Sequence, residues 1–369
     1  MPGEKLHWTH LYEEVVTSGL CTGCAACVVA CPHDVLGYDD KYKPFHLEEQ
    51  GGPAGCVHGD KGCTLCTRAC PRFRDWESDA DTFLFGRKRA PTEVTGVWRK
   101  ILLTRATDAE VLAKGQDGGT CSAVLIWCLD KGIIDGALVS FFDGDTLSWK
   151  AGSGVARSRQ EVLESAGSRY TYSANTLAYK EAVEAGLEKL ALVGMSCQAS
   201  VPPIMATRGV RKVARRIVLS IGLLCSKTFD DRIFEDLLQS KYGLARTQIS
   251  KMNIKGRLQL WTTDGGYLEV PLKECHEFTR EGCKMCPDFS AEHGDLSLGG
   301  LGQTAGWTLT IVRTQRGEQI VDSMIAEGHL EARSGESDPA TLSLLHRLAA
   351  KQRKRWPVTE AQPALVSEN

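Results

Sequence analysis

The rhythm of apolar and polar positions changes twice along the chain. Residues 1–95 hold no sustained period: they are Gly-containing and loop-rich, and close in a charged stretch, Arg72–Arg89. Residues 96–335 alternate short apolar runs with helical patterns. Residues 336–369 are polar, with one short helix at Thr341–Lys354 and a loose tail after Pro357.

The middle segment carries the clearest elements. Gly118–Gly119 lead into a helix at Thr120–Asp130, closed by Lys131–Gly132, and Ile133–Phe142 reads as a strand. Asn175–Lys189 reads as a helix and Leu190–Val193 as a strand that stops at Gly194. Arg216–Leu224 is an apolar strand ending at Cys225, followed by a helix at Phe229–Tyr242. Leu258–Thr263 and Gly266–Val270 alternate around Asp264–Gly265, which predicts a hairpin. A strand at Leu309–Arg313 and a helix at Glu318–Glu327 complete the pattern. The mixture predicts an α/β (α+β) large domain with a mixed sheet, preceded by the small, loop-rich first segment. A cofactor is expected at the ends of the strands.

Composition narrows the function class. Apolar residues make up 42% and charged residues 24% of 369, which excludes wholesale disorder. Lys plus Arg is 44 against 46 Asp plus Glu, so nucleic acid is not expected as a partner. Apolar runs such as Ile217–Cys225 are far shorter than the roughly 20 residues of a membrane span. The opening residues lack an apolar signal core, and a cytoplasmic location is expected.

The unusual number is 15 Cys, eight of them within the first seventy residues. An odd total in a large chain without a signal core argues for metal or redox ligation over a disulfide framework. Cys21, Cys24, Cys27 and Cys31, with Pro32, fit the bacterial C-x2-C-x2-C-x3-C-P run, a spacing in which the fourth Cys ligates the other cluster. A second run, Cys56, Cys63, Cys66 and Cys70 with Pro71, has a longer first gap and the same ending. The crossed pattern gives one [4Fe–4S] cluster to Cys21, Cys24, Cys27 and Cys70. It gives the other to Cys56, Cys63, Cys66 and Cys31, so residues 1–95 read as a small two-cluster ferredoxin-like domain. C-x2-C pairs also bind zinc, but four Cys in eleven residues followed by Pro is a poor zinc-ribbon pattern.

Single electrons need a two-electron terminus if the chain is an enzyme. Gly115, Gln116, Gly118, Gly119 and Thr120 form a Gly-rich approach to a helix, whose backbone N–H groups suit a phosphate or a flavin edge. A plain helix cap at Thr120 explains the same residues. Ser168, Tyr170 and Ser173, with Arg169 among them, could contact an anionic cofactor or merely precede a helix. Cys197 and Cys225 follow two strands, and Cys283 and Cys286 form a C-x2-C pair. These four can converge on a third cluster, with Cys275 as a competing ligand. The alternative is buried free thiols.

Taken in order, these motifs resemble the family of β subunits of coenzyme F420 hydrogenases and dehydrogenases. The resemblance is carried by the paired ferredoxin runs, Gly115–Gly119, Lys131–Gly136, Gly194-Met-Ser-Cys-Gln198, Gly222–Cys225, Cys283–Phe289 and Gly294–Gly299. It implies FAD as the central redox group in residues 96–335, and hydride exchange with coenzyme F420 or a similar two-electron substrate. It also implies a catalytic partner subunit or a ferredoxin as electron partner. Two other readings stay open: an electron-transfer subunit of a larger dehydrogenase or hydrogenase, and a reductase of chlorophyll-type tetrapyrroles. The family usually has Gly-Thr-Pro-Cys-Gln where this chain has Met195 and Ser196.

Two basic runs, Arg208–Arg216 and Lys351–Arg355, read as solvated faces, with substrate steering and partner docking as the alternatives. The nine His show no ligand spacing. Cys121 and Cys128 lie seven apart on one helix face and read as core.

Overall fold

The computed structural model describes residues 5–48, 51–142, 148–302 and 306–355. Its strands are β1 Leu36–Tyr38, β2 Pro44–His46, β3 Lys100–Ala106, β4 Gly136–Phe142, β5 Ala151–Ala156, β6 Leu190–Met195 and β7 Ile217–Leu223. They continue with β8 Ile249–Ile254, β9 Arg257–Thr262, β10 Tyr267–Pro271, β11 Leu296–Gly299, β12 Thr308–Val312 and β13 Leu330–Ser334. An eight-stranded sheet runs β13-β3-β12-β11-β7-β6-β4-β5. β11, β7, β6 and β4 are parallel neighbours, and the remaining pairs are antiparallel, so the sheet is mixed as predicted.

The central strands β6 and β7 are near-continuous apolar runs because helices cover both faces. Thr120–Asp130 is apolar all round and is accordingly buried, with Val124 and Cys128 at 0% exposure. Gln315–Ala326 is amphipathic instead, and turns Ile320, Val321 and Met324 into the same core.

Several expectations need correction. Asn175–Lys189 is not one helix: a 3-10 turn, Asn175–Ala178, leads into Tyr179–Glu184, and Gly186 stops it at φ 76°. Phe229 lies in isolated bridges to Thr171 and Thr279, so the helix predicted from that residue forms later, as a wide π turn at Ile233–Gln239. The charged stretch holds a helix, Glu77–Phe85, whose buried residues are Ala80 and Asp81; with no apolar stripe it left no period to read. The hairpin forms with Trp261 opposite Tyr267 and gains β8 as a third strand. The C-terminal helix spans Pro339–Arg353 and packs Leu345 and Ala349 against Leu103 and Phe289. The tail expected after Pro357 lies outside the described residues. Among the described residues no helix is long and apolar enough to cross a membrane.

β3 ends beside the start of β12, as β11 does, so β3, β11, β7, β6 and β4 present their carboxyl ends along one edge. That edge carries the site.

Candidate functional site

β6 ends at Met195, and the short helix Ser196–Ala199 that follows places Cys197 on the edge. Gln198 fixes this turn. It is fully buried; its Oε1 accepts from the Asn175 backbone N–H at 2.9 Å, and its Nε2 donates to the Ser173 carbonyl at 2.7 Å. A Cβ on Gly194 would strike Gln198, so only glycine lets the amide lie here. Cys225 follows β7, its N–H donating to the Phe289 carbonyl at 2.9 Å. Gln352 of the C-terminal helix donates to the Cys225 and Asp288 carbonyls at 3.1 and 2.9 Å. Arg355 donates to the Ser226 and Cys283 carbonyls at 2.6 and 3.3 Å. Cys197, Cys225, Cys283 and Cys286 thereby line one cavity of about 300 Å³, together with Thr22, Tyr172, Ser196, Lys227 and Asp288. Cys275 is not among them: it is buried beside Phe229 and Phe278, its thiol facing the Pro271 carbonyl.

A second cavity is lined by Cys21, Cys24, Cys27 and Cys70, the first crossed quartet. Cys66 has Cys63, Cys31 and Cys56 as its neighbours, the second crossed quartet. Cys24 feels Cys197, and Cys27 feels Cys66. The first quartet therefore lies between the edge quartet and the second. Cys31 and Cys63 of that second, distal quartet are half-buried, nearer solvent than Cys24, Cys27 and Cys70.

All fifteen cysteines are free thiols. Burial pushes the Cys197 and Cys70 thiols up to about 12, so each keeps its proton unless a metal displaces it. Among the described residues no three His, Cys, Asp or Glu side chains converge on a single ion. Four sulfurs around a cavity suit a cubane better than one zinc, which would draw them in to about 2.3 Å. The Ser196 hydroxyl is buried in the edge cavity without a partner, a donor that cluster sulfur would satisfy. The donor chemistry of each quartet fits a [4Fe–4S] cluster.

The flavin-candidate segments reach the same edge by a different route from the one expected. The glycine loop does not offer its amides: Gly115 N–H donates to Val111, Gly119 N–H to Gln116, and Gly118 N–H to Thr308 Oγ1. A Cβ on Gly118 would strike the Thr104 carbonyl, and Thr120 shares a hydrogen bond with Thr104 at 2.7 Å. The glycines thus let the loop lie on the sheet. Asp117, its side chain nearly buried, pairs with Lys255 at 3.4 Å. Tyr170 donates to Asn253 at 3.2 Å and feels both Asp117 and Cys225, so residues 115–120 and 168–173 meet near the edge quartet. Ser168 hydrogen-bonds the Tyr170 hydroxyl. Ser173 is internal, donating to Asn175 at 2.7 Å. Arg169 stacks over Phe142 at 4.0 Å, and its Nε and Nη2 are buried without a partner among the described residues. Those orphaned donors fit an anionic cofactor better than the glycine loop does.

The basic runs are partly structural, not wholly solvated. Arg208 donates to the carbonyls of Cys70 and Asp75, and Arg216 pairs with Glu188. Arg353 joins Glu77 and the fully buried Glu292, which Arg89 also contacts. Arg280 Nη1 donates to the Thr22 carbonyl at 3.0 Å and lies over the Tyr172 ring at 3.9 Å. Sequence reasoning missed Arg72, Arg280 and Gln352, since isolated residues carry no spacing signal; only the Pro71 neighbour could have drawn attention to Arg72.

Three family models match successive parts of the chain. The model for the N-terminal part of the coenzyme F420 hydrogenase/dehydrogenase β subunit matches residues 101–180, and that for its C terminus matches residues 187–338. A 4Fe-4S dicluster domain model matches residues 20–73. The β subunit of coenzyme F420 hydrogenase of Methanothermobacter thermautotrophicus is 36% identical over 270 residues, 71% of this chain and 94% of that one. A subunit of the F420H2 dehydrogenase of Methanosarcina mazei is 29% identical over 351 residues, 92% of this chain and 91% of that one. A chain of the F420-reducing [NiFe] hydrogenase complex from Methanosarcina barkeri has a TM-score of 0.68 at 30% identity, covering 71% of this chain and 91% of that chain.

Proposed function

This chain belongs to the family of coenzyme F420 hydrogenase/dehydrogenase β subunits, and from that premise we propose that it is an iron–sulfur flavoprotein exchanging hydride with coenzyme F420. Electrons pass singly through three [4Fe–4S] clusters to a partner subunit or a ferredoxin. The observation that carries this reading is the succession of three thiol quartets, starting beside the flavin-candidate segments and ending near solvent. Bound FAD would supply the exchange between two-electron and one-electron chemistry.

The chain's own residues do the placing. Gln198 and Gln352 hold the backbones on which Cys197 and Cys225 sit, so thiolates from three segments keep one geometry. Cys283 and Cys286 complete that set. Arg169 offers its unpartnered donors to an anionic part of the cofactor. Thr22 lines both cavities, so little protein separates the edge cluster from the next.

The test is anaerobic preparation of the whole chain, with flavin, iron and sulfide analysis. Reduced F420 is then offered with an artificial one-electron acceptor. About twelve irons, from three four-iron clusters, and about one FAD are expected, with acceptor reduction dependent on F420. Full cofactor loading with no F420 oxidation would leave only the electron-transfer-subunit reading. About eight irons with no flavin would remove the proposal.

A further inference from the structure

Arg72 stands where the two redox halves of the molecule meet. It follows Cys70 and Pro71 and is only 7% exposed. Its backbone N–H donates to Cys70 Sγ at 3.4 Å, and the residue lines the cavity of Cys21, Cys24, Cys27 and Cys70. Its guanidinium also lies beside Cys286 and Cys197, both in the edge quartet. One buried cation therefore serves two quartets at once. Guanidinium keeps its charge under all ordinary conditions, so the arrangement is permanent.

A four-iron cluster held by four thiolates carries net negative charge, and reduction adds one more. Net charge and hydrogen bonds to sulfur set the potential of such clusters. A cation buried between two of them favours the reduced form of both, because little water screens it. We propose that Arg72 is a positioning residue that raises the reduction potentials of the edge cluster and its neighbour together, keeping the electron step between them nearly level. This rests on the reading above. The step itself makes and breaks no bond: one electron leaves the edge cluster and one arrives at the neighbouring cluster. The distal quartet lines neither of the two cavities, so it serves as an internal reference.

The test compares R72Q and R72K with the wild-type whole chain in anaerobic redox titrations followed by EPR, with iron and sulfide counted in each. R72Q keeps a donor for Cys286 without the charge; R72K keeps the charge. The expected result is a roughly tenfold shift in the reduction equilibrium of both clusters in R72Q, or ~59 mV downward for a one-electron couple. R72K stays near wild type, and the distal cluster moves much less. Unchanged potentials in fully loaded R72Q overturn the proposal, as does an equal shift at all three clusters. If R72Q loses iron the comparison passes to R72M, and loss of iron from R72M and R72K alike overturns it in favour of a purely structural role. Wild-type protein with only about eight irons would instead overturn the functional reading itself.

Discussion

Gln198 and Gly118 show how much of a site can rest on residues that hold its backbone in place. Removing the Gln198 amide leaves the buried Asn175 N–H and Ser173 carbonyl without their partners. Gln198→Leu is expected to cost about 3 kcal/mol, from two orphaned groups at 1–3 kcal/mol each, read as a shifted midpoint in anaerobic urea unfolding. Unchanged stability would mean that the turn holding Cys197 is fixed by something else. Gly118→Val is a poor probe of flavin contact, because the added side chain collides with the Thr104 carbonyl and harms the fold. Arg169→Met is the better one. Its Nε and Nη2 are unpartnered and only Nη1 bonds the Ser165 and Gly167 carbonyls, so flavin content should fall severalfold with at most a small drop in the unfolding midpoint; full flavin retention would remove Arg169 from the cofactor site. The cysteines were legible because thiolate spacing is a local, one-dimensional signal. Gln198 was legible only as part of a resemblance. Arg169 was visible, but its neighbours' hydroxyls suggested a plain helix approach, and nothing in the sequence says which donors burial will leave unpaired.

At the scale of elements, the helices Glu77–Phe85 and Pro339–Arg353 clamp the cysteine-rich segment to the sheet. The clamp is made of charge: Arg89 pairs with Asp81, Arg353 with Glu77, and both arginines reach Glu292. Arg353→Ala leaves Glu292 and Glu77 short of a cation and is expected to cost about 3 kcal/mol, measured by denaturant unfolding. His293, 2% exposed, hydrogen-bonds Asp81 at 3.0 Å. Burial lowers its pKa below the ordinary 6.5, outweighing the Asp81 hydrogen bond, which raises it. The folded state therefore binds fewer protons than the unfolded chain. Its contribution is whole above about pH 6.5 and is lost as pH falls below that toward the folded pKa. The melting temperature of the wild type should drop more between about pH 7 and about pH 5.5 than that of His293→Gln. Parallel curves would exclude His293 as the source. None of this clamp could be read from hydrophobic period. The central strands β6 and β7 could, being apolar but for Ser220, whereas β5, with sequence Ala-Gly-Ser-Gly-Val-Ala, is a strand only because β4 offers it a ladder.

At the scale of the whole molecule, the order of the three quartets is what gives the chain a direction. Pairing of each Cys with its distant partner, Cys70 with the first run and Cys31 with the second, followed from spacing alone; the approach of Cys24 to Cys197 did not, since it depends on how two segments dock. Arg280 and Gly282 of the loop before Cys283 make that docking close. Arg280 donates to the Thr22 carbonyl, and a Cβ on Gly282 would strike the Cys21 carbonyl. If electrons travel from the edge quartet inward and then out to the distal one, the edge cluster is the only entry from the flavin. Cys225→Ala should then lower iron by about four per chain while leaving the two clusters of the cysteine-rich segment in place. Those two should still be reduced by dithionite, which can act from solvent on the distal quartet through the side of its half-buried Cys31 and Cys63, and should no longer be reduced by F420H2 within the wild-type turnover time. The measurement is the EPR signal of the reduced clusters under each donor. Reduction by F420H2 at the wild-type rate in a variant lacking the edge cluster would show that electrons reach the cysteine-rich segment by another path.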